Sequence, residues 1–201
     1  MALRRQRPGT GSIISREGGP TVRWPALATI LAGIPWAITG AVATRLYMPE
    51  RATRDLDILV LAQELGFVEA ALRRAGFALV GQLTIGGQSW KAPDGTSVDV
   101  IAGEDEWVGQ ALSEASTNLD PQGAPVLPLP YLVLMKLGAS RVQDLADVSR
   151  MLGRASIEHL DRVRAVVRSH APELADDLER LIHLGRLESG ELDSSPDPGR
   201  L

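Results

Sequence analysis

Residues 39–60 read TGAVATRLYMPERATRDLDILV, and this stretch decides how the rest of the chain is interpreted. It is preceded by Trp36–Thr39, a short apolar segment that favours a strand and leads directly into a glycine. Residues 41–47 favour a short helix, which ends before Pro49 because proline cannot continue it. Asp55–Leu61 then begins by alternating acidic and apolar residues, as a strand with one buried face does. The stretch therefore predicts a strand–turn–helix–strand unit.

Two aspartates in the second predicted strand indicate a cation site. On an extended strand Asp55 and Asp57 lie on one face, while Leu56 and Ile58 point into the core. Two neighbouring carboxylates are costly to bury unless a cation lies between them. We expect Mg²⁺, because it takes hard oxygen ligands and leaves room for water and phosphate.

A third carboxylate has the same setting. Asp99 lies between Val98 and Val100, on the second strand of a predicted hairpin. Three carboxylates on adjacent strands can hold two divalent ions roughly 3.5–4 Å apart, a geometry suited to phosphoryl displacement. The competing interpretation is that Asp-x-Asp occurs by chance and that acids at strand ends are merely solvated.

Outside these strands the chain divides into an α/β half and a helical half. Hydrophobic periodicity and turn residues predict, in the first half, helices at 24–32, 65–76 and 104–115, a strand at 77–83, and a hairpin of strands 88–92 and 97–102. After a proline-rich connector at 124–130, we predict helices at 130–139, 143–152, 156–169 and 172–183. The fold class is therefore α/β (α+β), with a helical region at its C-terminal end.

Taken in order, these segments resemble the nucleotidyltransferase superfamily with the DNA-polymerase-β-like fold. Residues 39–60 are similar to its Gly-Gly/Ser motif followed by Arg-x-Thr-x-Asp-x-Asp, and VDVI at 98–101 is similar to the strand with its third carboxylate. LPYLVLMKLGASRVQDLADVSRML, residues 129–152, resembles the Lys-x-x-Ala-x-Arg-x-x-Asp-x-x-Asp helices of a bacterial subset that includes AbiEii-like toxins. The resemblance covers roughly residues 26–152. It implies a mixed β-sheet flanked by helices and followed by a C-terminal helical bundle.

The resemblance implies an enzyme that transfers a nucleoside monophosphate from an NTP to an acceptor hydroxyl and releases pyrophosphate. Asp55 and Asp57 would bind two Mg²⁺ ions and, through them, the triphosphate. Asp99 would hold the ion next to the acceptor hydroxyl and help to deprotonate it. These three aspartates are therefore both the candidate metal ligands and candidate catalytic residues.

Phosphate contacts are expected around the glycine of the first turn. Gly40 lets the backbone approach a phosphate, and the helix after it offers free N–H groups. The resemblance assigns phosphate contacts to Gly40 and the Ala41 N–H, places Arg51 near the phosphates, and lets Thr53 fix the loop or the start of the strand. The family usually has Ser or a second Gly where this chain has Ala41, so a hydroxyl is missing there.

Lysine is rare in this chain, since only Lys91 and Lys136 are lysine among 21 cations. The resemblance places Lys136 against the triphosphate, where it would offset the charge of the leaving pyrophosphate as a catalytic and nucleotide-binding residue. Asp144 would then orient Lys136 or Arg141. The competing interpretation is a snorkelling lysine in a weak surface ion pair.

The geometry around this lysine has two alternatives. On one continuous helix, Lys136, Ser140, Gln143 and Asp147 fall near one face, because they are four, three and four residues apart. Alternatively, Gly138 allows a break and a second helix opens near Gln143.

Composition limits the remaining classes. The 201 residues are 44% hydrophobic and 23% charged, which suits one globular domain, alone or with a small appendage. A net charge of -4 argues weakly against an indiscriminate nucleic-acid binder, and the absence of cysteine excludes disulfides and thiol chemistry. The N-terminal residues do not resemble a signal peptide and no apolar run is long enough to span a membrane, so we expect a cytoplasmic protein without a membrane partner.

We predict four segments along the chain. They are a flexible basic tail at 1–23, a nucleotidyltransferase core at 24–123, a C-terminal helical region at 124–187 and a disordered acidic tail at 188–201. Two weaker signals lie inside them. Trp90 could line a base pocket, and Arg162, Arg164 and Arg168 form a basic stripe that is either a solvated face or an RNA docking strip.

Three functional hypotheses follow. The first is a Mg²⁺-dependent nucleotidyltransferase, including the case of a toxin from a toxin–antitoxin pair that acts on tRNA and binds a cognate antitoxin. The second is the same chemistry on a protein or small-molecule hydroxyl. The third is a non-catalytic NTP-binding protein, or an antitoxin-like partner, with the same fold.

Overall fold

Five strands form one mixed sheet in the computed structural model, which describes residues 25–49, 53 and 55–190. The strands are β1 (Trp36–Thr39), β2 (Asp55–Leu61), β3 (Ala78–Gln82), β4 (Gly87–Lys91) and β5 (Ser97–Gly103). Their order across the sheet is β1-β2-β5-β4-β3. Only β2 and β5 are parallel neighbours, so β5 lies beside β2 although two other strands separate them along the chain. The predicted mixed α+β sheet is confirmed.

Helices cover the sheet and continue as a C-terminal bundle. They are α1 (Leu27–Ile30), α2 (Gly40–Ala43), α3 (Leu65–Arg74), α4 (Trp107–Ala115), α5 (Leu129–Ala139), α6 (Val142–Leu152), α7 (Ile157–His170) and α8 (Ala175–Ser189). Helix α4 packs on β1 and β2, α5 packs on α6 and α7, and α6 packs on α8. None of the described helices is long and apolar enough to cross a membrane.

The alternation of β2 separates its two faces as the sequence predicts. Leu56, Ile58 and Val60 are fully buried in the core, whereas Asp55 is exposed and Asp57 half-buried on the opposite face. Burial of the aliphatic row holds the strand in register, because a slip of one residue would turn the aspartates into the core. The sheet thereby presents its carboxylates on one side.

Two glycines let α6 and α8 cross closely. A Cβ atom at Gly153 would overlap the backbone of Gly185, and one at Gly185 would overlap the carbonyl oxygen of Ser149. Any side chain at either position would push the two helices apart. The bundle that carries Lys136 therefore depends on backbone-to-backbone packing.

The structure differs from the sequence prediction at several helix ends. The break after Lys136 occurs at Ser140, in the left-handed region at φ 51°, and not at Gly138, which stays helical. The Ser140 N–H and hydroxyl both donate to carbonyls of the last turn, including that of Leu137. These bonds stabilise a left-handed conformation that is usually adopted by glycine at the end of a helix. The first helix spans only Leu27–Ile30, and the last one, predicted at 172–183, runs on to Ser189.

Candidate active site

The three predicted carboxylates lie together on one face of the sheet. In the parallel pair β2–β5, Asp57 is the register partner of Asp99, so their side chains stand next to each other. Asp55 lies two residues earlier on β2 and shares this face. The long-range pairing of β2 with β5 therefore brings together residues that are more than forty positions apart in the chain.

Asp57 is the centre of the group. Its carboxylate accepts a hydrogen bond from the Ala41 N–H and packs against Gly40, where a Cβ atom would overlap it. Burial, followed by the charges of Asp99 and Asp55, raises the pKa of Asp57 to about 6, although Lys136 acts in the opposite direction. The site therefore concentrates negative charge that Lys136 offsets only in part.

An open cleft of about 1280 Å³ contains this group. The predicted site residues that line it are Gly40, Ala41, Thr53, Asp55, Asp57, Asp99, Lys136, Arg141 and Asp144. Arg51 lies outside the described residues. Sequence positions from four separate segments thus converge on one cavity.

Lys136 is a buried residue of α5 that lines the cleft. Its side chain is 5% exposed, and its Nζ lies 2.8 Å from Asp144 Oδ1 and 2.9 Å from Asp147 Oδ2. A snorkelling surface lysine is therefore the wrong interpretation. The two carboxylates beside it offset the cost of removing an ammonium from water.

Asp144 joins both cations of the cleft. Its Oδ1 accepts from Lys136, and its Oδ2 accepts from Arg141 Nε at 2.6 Å. Burial alone would raise the pKa of Asp144, but the hydrogen bonds from Lys136 and Arg141 outweigh it and hold that pKa below its usual value. Asp144, which the sequence predicts to orient Lys136 or Arg141, contacts both of them.

The turn residues hold the aspartate strand in place. Thr53 Oγ1 lies 3.4 Å from the Asp55 N–H and 3.3 Å from the Asp55 carbonyl oxygen, so it sits at the start of β2. The Ala41 N–H, predicted as a phosphate contact, here donates to Asp57. A phosphate contact by this N–H would therefore compete with the carboxylate.

The donor set suits a hard divalent cation. No three His, Cys, Asp or Glu side chains within 25–49, 53 and 55–190 converge on a point that could hold a metal ion. The aspartates fit Mg²⁺ as pairs, because this ion is usually held by one or two carboxylates and completes its shell with water and substrate phosphate. The raised pKa of Asp57 supports this fit, since a cation beside it would relieve the repulsion from Asp55 and Asp99.

Sequence reasoning missed part of the cleft. Asp147 and Gln143 appeared in the sequence only as members of a helix face, but both belong to the Lys136 cluster, because Gln143 Nε2 donates to Asp147 Oδ1 at 3.2 Å. The β3–β4 turn at 83–87 and the acids Glu104, Asp105 and Glu173 also line the cavity. The order of strands across the sheet brings this turn to the cleft, and that order could not be read from the local sequence patterns.

Two weaker sequence signals have structural explanations. Trp90 is completely buried in the core and does not line the cleft, so it is no base pocket. Arg162 pairs with Glu114, and Arg164 pairs with Glu179 and Asp161. Two of the three arginines in the basic stripe are thus engaged in ion pairs, which favours a solvated face.

Comparison with known proteins gives distant structural neighbours. A scan against protein-family profiles finds no match, and no curated protein sequence matches. The solution structure of the antibiotic-resistance factor ANT(2'')-Ia is similar at 17% identity and a TM-score of 0.43, covering 83% of this chain and 92% of that one. The crystal structure of ANT(2'')-Ia with adenylyl-2''-tobramycin gives 19% identity, a TM-score of 0.45, and 81% and 96% coverage.

A further neighbour is terminal uridylyl transferase 4 from Trypanosoma brucei with bound GTP. Its identity is 17% and its TM-score 0.32, over 63% of this chain and 46% of that chain. Such values mark a distant likeness, so the chemistry has to be derived from the residues of this chain. Membership of an AbiEii-like subset stays a prediction.

Proposed function

We propose that this protein is a Mg²⁺-dependent nucleotidyltransferase that moves a nucleoside monophosphate from an NTP to an acceptor hydroxyl. One observation carries the proposal. Asp57 stands between Asp55 and Asp99 in a cleft, pressed against Gly40, and faces a wall that holds the buried cation Lys136. One cavity thus contains carboxylates that suit a divalent metal ion and an ammonium group that suits a phosphate.

Different pairs of aspartates would bind the two Mg²⁺ ions. Asp55 and Asp57 would carry the ion that binds the triphosphate, and Asp57 and Asp99 the ion near the acceptor. Bound Mg²⁺ would neutralise phosphate charge and polarise the phosphoryl oxygens. The protein itself contributes the fixed positions of these carboxylates on two paired strands.

The transfer step exchanges one bond to phosphorus for another. The acceptor oxygen bonds to the α-phosphorus while the bond from that phosphorus to its bridging oxygen breaks. Pyrophosphate leaves with the electron pair, and the hydroxyl proton passes to Asp99. Lys136 and Arg141 would stabilise the negative charge that builds up on the leaving group.

The charge of the cleft bears on the acceptor. Glu104, Asp105 and Glu173 are exposed acids on its wall, and none of them has an ion-pair partner within the described part of the chain. These acids disfavour an acceptor that is a polyanion and favour one that is positively charged. We therefore place a protein or small-molecule hydroxyl ahead of tRNA as the acceptor.

Label transfer tests the proposal. The purified full-length protein is incubated with each α-³²P-labelled NTP, Mg²⁺, and separately with tRNA, cell-extract protein and the small-molecule fraction. We expect Mg²⁺-dependent label in one fraction and none with Asp57→Asn. NTP binding without any transfer would instead support the non-catalytic NTP-binding alternative.

The toxin hypothesis has its own test. If the protein is the toxin of a toxin–antitoxin pair, its expression arrests growth, Asp57→Asn abolishes the arrest, and a cognate antitoxin restores growth. Arrest that persists in a folded Asp57→Asn variant would exclude this role. A small DNA-binding protein encoded next to the gene would be supporting evidence.

A further inference from the structure

We infer that the two aspartates beside Lys136 have different tasks. Asp147 holds the ammonium in place, whereas Asp144 binds both Lys136 and Arg141 and can release Arg141. Asp147 is thus a positioning residue for Lys136. What Lys136 and Arg141 bind rests on the proposed function. The different roles of the two carboxylates do not depend on the proposed function.

Asp147 is engaged through both oxygens. Its Oδ2 accepts from Lys136 Nζ at 2.9 Å, and its Oδ1 accepts from Gln143 Nε2 at 3.2 Å. The Asp147 side chain is 0% exposed. Because Gln143 and Asp147 are one turn apart on α6, the helix itself sets the angle at which the carboxylate meets Lys136 on α5. A carboxylate so enclosed has no second position available.

Asp144 is engaged differently. Its side chain is also buried at 6% exposure, but its second oxygen accepts from Arg141, whose side chain is 76% exposed. Arg141 lies before the first turn of α6 and lines the cleft. Among the charged members of this cluster, Arg141 alone is exposed to solvent. Because its cation is exposed, this ion pair can be exchanged for a phosphate more readily than the fully buried pair of Lys136 with Asp147.

The charges explain why the cluster needs two aspartates. Two cations and two carboxylates cancel one another in the structure described here. When a triphosphate enters, Arg141 can transfer from Asp144 to a phosphate oxygen without loosening Lys136, because Asp147 still holds that ammonium. A single carboxylate would force the two cations to compete for it.

The presence of only two lysines makes the inference directly measurable. The full-length protein is prepared with ¹³C at the lysine ε-carbon, so that its NMR spectrum contains one signal from Lys136 and one from the exposed Lys91. The variant Lys91→Arg removes the Lys91 signal and so assigns both signals. In the wild type we expect two distinct ε-proton shifts for Lys136, as for an immobilised side chain, and degenerate shifts for Lys91.

Matched variants then separate the two aspartates. In Asp147→Asn the Lys136 shifts should collapse towards those of Lys91, and kcat should fall about tenfold or more with a smaller change in the KM of the NTP. In Asp144→Asn the Lys136 shifts should stay distinct, and the KM of the NTP should fall, because Arg141 no longer has to leave a carboxylate. If Asp147→Asn does not fold, Gln143→Leu should loosen Lys136 in the same direction.

The outcomes decide the inference independently of the proposed function. Lys136 shifts that survive Asp147→Asn and Gln143→Leu, or that collapse in Asp144→Asn, would overturn it. If the wild type transfers no nucleotide, the proposed function fails, but the NMR comparison still decides which aspartate holds the lysine.

Discussion

Gly40 and Asp57 are in such close contact that a Cβ atom at residue 40 would overlap the Asp57 carboxylate. Gly40 also has φ 61°, a conformation in the left-handed region that side chains disfavour. The contact puts the first turn of α2 against the central carboxylate and lets the Ala41 N–H donate to it. Gly40 is therefore required twice, by its backbone conformation and by its neighbour.

Gly40→Ala is expected to abolish transfer while the protein remains folded. The new methyl group must displace the Asp57 carboxylate, and we expect activity to fall about 100-fold or more and the free energy of unfolding by roughly 1–3 kcal/mol. Label transfer and urea unfolding measure the two effects. Gly33→Ala is the matched control, since Gly33 also has positive φ, at 82°, but its Cβ would meet nothing within 4 Å. Gly33→Ala should cost stability alone; equal activity losses in both variants would contradict the account.

The raised pKa of Asp57 predicts how the stability of the metal-free protein depends on pH. A carboxyl with a folded-state pKa of about 6 binds protons more tightly when folded than when unfolded. Its ionisation therefore lowers the free energy of unfolding as the pH rises from about 4 to about 6. Asp57→Asn should remove this loss and stabilise the protein by about 3 kcal/mol at pH ~7.5, with little effect at pH ~4.

Urea unfolding in EDTA at both pH values measures this difference. Asp176→Asn, at an exposed acid on α8, is the control and should show no pH-dependent gain. A gain of equal size at both pH values, or a loss at neutral pH, would show that Asp57 is not the repelled group.

The two lysines should differ sharply in their contribution to stability. Lys136→Met leaves Asp144 and Asp147 buried without their ammonium, which should lower the free energy of unfolding by roughly 3–5 kcal/mol. Lys91→Met loses one exposed hydrogen bond to Ser97 and should cost at most about 0.5 kcal/mol. Thermal and urea unfolding measure both. Adding Asp147→Asn to Lys136→Met should restore part of the loss, and a purely additive result would argue against a coupled pair.

The close crossing of α6 and α8 predicts that substitutions there lower stability without acting on the catalytic residues. Gly153→Ala must separate α6 from α8, because its methyl group would overlap the Gly185 backbone. We expect a loss of roughly 1–3 kcal/mol in unfolding free energy. Gly109→Ala on α4 meets nothing within 4 Å and should be neutral or stabilising. A neutral Gly153→Ala would mean that the two helices are farther apart than described.

The local elements could be predicted because they depend on neighbouring residues. Alternation defined β2, and the proline-glycine turn after β4 defined the hairpin with β5. The residues of the candidate site could also be named, since each belongs to a short motif in a recognisable order. Their convergence in one cleft is a property of the three-dimensional structure, as the parallel pairing of Asp57 with Asp99 shows.

The features that were missed depend on tertiary contacts. A helix break at Ser140 excludes the continuous helix and replaces the alternative break at Gly138, because hydroxyl and N–H bonds to the preceding turn stabilise a conformation that serine rarely adopts. The positioning of Lys136 by Asp147 needs α5 and α6 at the angle that this break sets. Sequence spacing alone gave Asp147 only a place on a helix face.

Transfer of differently labelled NTP tests the central claim most directly. The same reaction is run in parallel with α-³²P and γ-³²P NTP, with and without Mg²⁺, using wild type and Asp57→Asn. The account predicts that the α-label becomes covalently attached to an acceptor, that the γ-label leaves in pyrophosphate, and that both events need Mg²⁺ and Asp57. Attachment of the γ-label to an acceptor, or of the α-label by Asp57→Asn, would contradict it.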